Sequence, residues 1–219
     1  LDDSVQIGTR NIKVALRRLR KFAREGSADH LDLEDTIRST AKNAGMLDIK
    51  MVPERRNAVK VLIFFDVGGS MDPYVKLCEE LFSAAKTEFK HLEYFYFHNC
   101  LYDYVWKDNH RRREEQLSTH DLIHKYAADY KVIFVGDASM APYEVTSPGG
   151  SVEYNDEEAG AVLMQRMTET YDKLVWLNPV QEKYWDYTPS ITMLKELTED
   201  KMFPLTLGGL EKAMALLSR

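Results

Sequence analysis

The run Val59-Lys60-Val61-Leu62-Ile63-Phe64-Phe65 constrains the fold more than any other feature of this chain. Apolar, β-branched and aromatic residues follow one another with a single polar interruption, so the segment cannot alternate between a dry and a wet face. It predicts a strand covered on both sides, as in a parallel sheet lying between two helical layers. The run stops at Asp66. Gly68 and Gly69 then permit a tight turn, Pro73 suits the first turn of a helix, and Val75 to Phe89 carries the spacing of an amphipathic helix. The unit is strand, loop, helix.

The pattern recurs downstream. Lys131 to Gly136 predicts a second buried strand, again followed by an acid, Asp137. Between the two units, Leu92–Phe97 and Leu101–Trp106 flank His98-Asn99-Cys100 and read as a hairpin, which places an antiparallel strand in the sheet. A charged loop from Lys107 to Glu115 leads to a helix over Asp121–Ala128. After a connection holding Pro142, Pro148, Gly149 and Gly150, a helix is expected over Glu157–Thr170 and a strand over Lys173–Leu177. Asn178-Pro179 opens the next loop, Met202–Leu205 is a short sixth strand and Leu210–Leu217 a closing helix. The order βαββαβαβα predicts an α/β domain over 57–219. Its sheet is doubly wound, mostly parallel and six-stranded, with one antiparallel edge strand and helices on both faces. Residues 1–56 read as an N-terminal helical segment leading into it. A basic amphipathic helix is expected over Asn11–Arg24, and another over Leu33–Asn43, with Asp32 as N-cap and Gly45 as its stop.

Charge and cysteine content narrow the function classes. With 29 Lys+Arg against 35 Asp+Glu, the formal charge of -6 argues against a generic nucleic-acid binder. Two cysteines, Cys78 and Cys100, make no disulfide framework, so a reducing, cytoplasmic setting is expected. No apolar run approaches the ~20 residues of a membrane-spanning helix, and no membrane insertion is expected. Leu1 is followed by Asp2 and Asp3 with no leader-like segment, so the chain reads as part of a longer protein.

In open α/β sheets ligands collect beyond the carboxyl ends of the strands where the strand order reverses. Asp66 and Asp137 stand at two such ends and converge if their strands are neighbours across that point. Ser70 follows Asp66 by one turn's length, and Thr119 precedes the helix that leads to the Asp137 strand. Carboxylates and hydroxyls with room for water form a hard, all-oxygen set that suits Mg²⁺, or Mn²⁺, rather than zinc. The segment Asp66-Val67-Gly68-Gly69-Ser70-Met71 resembles the DxSxS signature of the metal-ion-dependent adhesion site of von Willebrand factor A domains. Ser118-Thr119 resembles its threonine motif and Gly136-Asp137 its third. More narrowly, the segment from Asp35 to Gly45, the block Phe64–Met71 and VWLNP with Trp185 downstream are similar to the CoxE-like group of bacterial proteins with this domain. The resemblance implies that Ser70 and Thr119 ligate directly while Asp66 and Asp137 act through water. Gly68 stands where the family has its first serine, so one hydroxyl is missing.

The leading expectation is a non-enzymatic binding module whose cation captures an acidic group of a partner protein. The resemblance implies a MoxR-type AAA+ ATPase as partner and a role in maturation, or metal insertion, of another complex. A metal-dependent hydrolase of phosphate esters is the alternative from another class, and a metal-free scaffold a third. Gly68 and Gly69 lack the following Lys of a phosphate-binding loop. His98, Cys100, His91, His110, His120 and His124 match no zinc spacing. Arg111-Arg112-Arg113 and Arg17-Arg18-Leu19-Arg20-Lys21 read as solvated or partner-facing surface, and Trp176, Trp185 and Tyr187 as packing or the mouth of the crevice.

Overall fold

The computed structural model describes residues 8–22, 30–43, 46–52, 59–153 and 155–218. The buried runs form the strands the sequence predicts: β3 (Lys60–Asp66), β4 (His91–Phe97), β7 (Lys131–Val135) and β8 (Leu174–Asn178), with β9 (Met202–Pro204) at one edge. β5 (Tyr104–Trp106) and β6 (Gln116–Ser118) complete the other edge. The order is β6-β5-β4-β3-β7-β8-β9, with every pair from β4 to β9 parallel.

Among the described residues the sheet therefore has seven strands, not six. The antiparallel edge is present, but as a pair, β5 against β4 and β6 against β5. Gln116-Leu117-Ser118 has no apolar run to announce it, and only its pairing with β5 makes it a strand. The hairpin is looser than expected, since β5 begins at Tyr104 and meets β4 only at Tyr96 opposite Trp106. The helices are α1 (Thr9–Phe22), α2 (Leu33–Lys42), α3 (Val75–Glu88), α4 (Thr119–Lys125), α5 (Pro142–Thr146), α6 (Gly160–Thr170), α7 (Pro189–Leu197) and α8 (Leu207–Leu217). A 3₁₀ segment over Gly69–Tyr74 joins β3 to α3, and another covers Glu182–Tyr187. α2 has its N-cap as predicted, Asp32 accepting from the Asp35 amide, and packs beside a small ladder of β1 (His30–Leu31) and β2 (Met51–Val52). The expected run of the first helix to Arg24, and Gly45 as a stop, lie outside the described residues.

Strand alternation sends consecutive side chains into two cores. On one face Leu62, Phe64, Phe134 and Trp176 pack with Leu163 and Met167 of α6 and Leu194 of α7. On the other, Val61, Ile63, Phe65, Ile133, Val135 and Leu177 pack against α1, α3 and α8. α1 is thus a working part of the α/β layer: Ile12, Ala15, Leu16 and Leu19 are all fully buried there. Its arginines are partly committed within the domain, Arg17 to the buried Glu88 at 2.9 Å and Arg18 to Glu211 at 3.1 Å.

Register across the central strands stacks an aromatic ladder, Phe64 on Phe134 at 4.6 Å and Phe134 on Trp176 at 5.3 Å between ring centroids. Phe97 meets both Phe134 and Trp176 edge-on. This rigid floor lies directly beneath the tips of β3 and β7. Of the three aromatics read as packing or crevice mouth, Trp176 and Trp185 are core and only Tyr187 is exposed. Because α1 fills the second core, Leu16→Ala should cost about 2–5 kcal/mol in urea unfolding, as for other buried leucine truncations. A loss within about 0.5 kcal/mol, the range of a surface change, would show that α1 is dispensable to that core.

Candidate metal-binding site

β3 is where the strand order reverses, with β4 on one side and β7 on the other. Phe65 pairs with Val135, which brings the Asp66 tip level with Gly136 and next to Asp137. The approach is close enough to demand glycine: a Cβ on Gly136 would stand 2.9 Å from Asp66 Cβ and 3.2 Å from its Oδ2. Trp176 fixes the same peptide by donating from Nε1 to the Gly136 carbonyl at 2.8 Å.

Asp66 is 5% exposed. Its Oδ1 accepts from the amides of Gly68 at 2.8 Å and Asn99 at 2.9 Å. Its Oδ2 is buried and has no hydrogen-bond partner among the described residues. Burial pushes the Asp66 carboxyl up to about 7; the Gly68 and Asn99 amides oppose that shift, and the negative charges of Asp137 and Glu144 add to it. Asp137 is raised as well, chiefly by burial, against which the Ser139 amide and the Ser70 hydroxyl act. Asp66, Asp137 and Ser70 are therefore drawn to one place.

The loop after β7 is clamped by several bonds. Ser139 N donates to Asp137 Oδ1 at 3.0 Å, Asn178 Nδ2 to the Asp137 carbonyl at 2.9 Å and Ser190 Oγ to the Ala138 carbonyl at 2.7 Å. Ala138 sits at φ 55°, a left-handed conformation uncommon for a residue with a side chain. Beside Asp66, a groove of about 350 Å³ is lined by Met71, Val75, Cys78, Phe82 and Tyr96.

Thr119 opens α4 at 1% exposure. Its hydroxyl donates to the Tyr102 carbonyl and its amide to the Asp103 carbonyl, so its described bonds run to the β4–β5 connection. Tyr102 in turn donates from its phenol to the Glu144 carbonyl at 3.1 Å. The neighbouring Ser118 is occupied as the N-cap of α4, accepting from Asp121 N at 2.9 Å. Gly69 begins the 3₁₀ segment, where a side chain's first carbon would meet nothing within 4 Å, whereas Gly68 is crowded.

Two residues of the site had no signal in the chain. Asn99 sits between His98 and Cys100 in what reads as a turn, and Glu144 lies in a proline-flanked connection. The fold brings them together, Asn99 Nδ2 donating to Glu144 Oε2 at 2.8 Å, with Glu144 6% exposed.

The donor set bears on which group fits. No cluster of three or more His, Cys, Asp or Glu poised for a metal occurs among the described residues. A cation here would rest on two carboxylates completed by neutral oxygens, and the unpartnered Asp66 Oδ2 fits such an ion. Cys78 and Cys100 are both pushed up to about 12, first by burial, so each is a thiol rather than a thiolate.

The titration of Asp66 gives a test by proton counting. The unfolded carboxyl releases its proton near 3.8, the folded one near 7, so the metal-free domain is most stable at low pH on this account. That contribution declines as pH rises through the interval and is gone above it, a change of up to about 4 kcal/mol. Urea unfolding in chelator from pH 5 to 8 should show the decline, and Asp66→Asn should flatten it. An unchanged slope in the variant would assign the effect to other groups.

Residues 6–105 match the family model described as a VWA domain containing CoxE-like protein. No curated protein and no solved structure gives a match. Among the described residues no helix is long and apolar enough to cross a membrane. The matched segment spans α1, the β3 tip with Asp66 and Ser70, and β4. The sheet order carries the same architecture on through β7 and Asp137. Over residues 6–105 the chain is thus similar to the CoxE-like group of von Willebrand factor A domain proteins.

Proposed function

We propose that this domain is a non-enzymatic protein-binding module that captures an acidic group of its partner through a divalent cation, Mg²⁺ or Mn²⁺. The observation that carries the reading is Asp66 Oδ2, buried without a partner at the strand tip where Asp137 and Ser70 meet it. A carboxylate oxygen so placed is costly unless a proton or a cation joins it. Asp66, Ser70 and Asp137 would hold the ion, with Thr119 as the further hydroxyl of the family pattern.

A bound cation would supply a positive centre with a free coordination position, which a partner carboxylate completes. The chain's own part is to bring no third negative charge to that centre beyond Asp66 and Asp137. Its other oxygens are neutral, and Glu144 has both carboxylate oxygens engaged, by Asn99 Nδ2 and by the Ala141 amide at 3.0 Å. The aromatic ladder and the Ser190 and Asn178 bonds hold the two strand tips at a fixed separation, so the site is organised before a partner arrives. Protein binding is the common use of this domain type. The CoxE-like grouping favours a MoxR-type AAA+ ATPase as partner, with a role in maturation of, or metal insertion into, another complex.

Titration of the purified domain with Mg²⁺ should give measurable heat in the millimolar range or below. The double variant Asp66→Ala, Ser70→Ala should lose at least about tenfold in metal affinity. It should also lose Mg²⁺-dependent retention of the ATPase, with its circular dichroism unchanged. Equal Mg²⁺-dependent retention by the double variant would refute the cation mechanism.

A further inference from the structure

Gly68 occupies the position where the family pattern carries a serine, and its surroundings give the reason. Its backbone, φ -59° and ψ 151°, is one that any residue adopts, so conformation does not select glycine there. Space does. A Cβ at this position would come 2.3 Å from Asn99 Oδ1 and 3.2 Å from Asp66 Oδ1. The amide oxygen of Asn99, reaching in from the β4–β5 connection, fills the volume that a side chain at position 68 would take.

The orientation of that amide is settled by its partner. Nδ2 donates to Glu144 Oε2 at 2.8 Å, and the opposite assignment would set an amide oxygen against a carboxylate oxygen. Glu144 is itself held, its Oε1 accepting from Ala141 N at 3.0 Å. Asn99 Oδ1 therefore stands against Gly68, at the same place that Asp66 Oδ1 borders, and makes no hydrogen bond to any described residue. Its backbone serves the same place: at φ 58°, a conformation asparagine tolerates better than most residues, its N–H donates to Asp66 Oδ1 at 2.9 Å.

We propose that Asn99 Oδ1 is a ligand oxygen of the cation site, replacing the hydroxyl that Gly68 lacks, with Glu144 as the positioning residue that aims it. The assignment rests on the cation-binding reading above. An amide oxygen is a hard, neutral donor, as a serine hydroxyl is, so the exchange conserves both the donor type and the charge of the site. Gly68 and Asn99 then form a complementary pair: a serine at 68 and an asparagine at 99 cannot both be present without one moving.

The test is a cycle of variants titrated with Mn²⁺ alone by calorimetry, with thermal melting in chelator recorded for each. Asn99→Gly keeps the positive φ and the N–H to Asp66 while removing the oxygen; it should weaken Mn²⁺ about tenfold to a hundredfold. Gly68→Ser alone should also weaken binding, because Asn99 stands in its way. Gly68→Ser combined with Asn99→Gly should return affinity to within about threefold of the wild type, well inside the loss of the single variant. Wild-type binding with an unchanged Asn99→Gly would overturn the assignment of Asn99 alone. A loss in Asn99→Gly that serine at 68 does not restore would overturn it too, as a structural effect. Absence of Mn²⁺ binding by the wild type would remove the cation reading itself.

Discussion

A carboxylate buried at the end of a central strand governs this structure. Asp66 has one oxygen satisfied by two amides and the other facing Gly136 with nothing to bond, so the strand tip carries a large desolvation cost. Its surroundings are arranged around that cost. Gly136 gives up its side chain to let β7 approach, Gly68 gives up its own to admit Asn99, and Trp176 locks the Gly136 peptide from below.

The architecture supplies the rigidity that such a site needs. Parallel pairing of β3 with both β4 and β7 sets three strand tips side by side, and the stacked Phe64, Phe134 and Trp176 resist sliding between them. Loops from β4 and β7 then reach over the tip of β3 from opposite sides, Asn99 from one and Asp137 with Glu144 from the other.

Much of this was legible in the chain, for physical reasons. Strands covered on both faces must be uninterrupted apolar runs, so β3 and β7 announced themselves, and an acid that ends such a run stands out. That made Asp66 and Asp137 readable, with Ser70 following from its distance behind Asp66. β6 was not readable, because three residues at an exposed edge need no apolar pattern; their identity as a strand lies in the partner. Asn99 and Glu144 were hidden for a related reason. They are 45 positions apart, and their meeting depends on the placement of two loops. The departure at Gly68 was visible as a missing hydroxyl, but that Asn99 fills the space beside it shows only in three dimensions.

The packing of α1 against α8 has a consequence for how the chain reaches this state. The apolar stripe of Ile12, Ala15, Leu16 and Leu19 shares its core with Leu210, Ala213, Met214 and Leu217. A ribosome delivers the second stripe long after the first. Until the later one emerges, the earlier one has α3 but not α8 to cover it, so the nascent polypeptide travels with part of a greasy flank that α8 closes last.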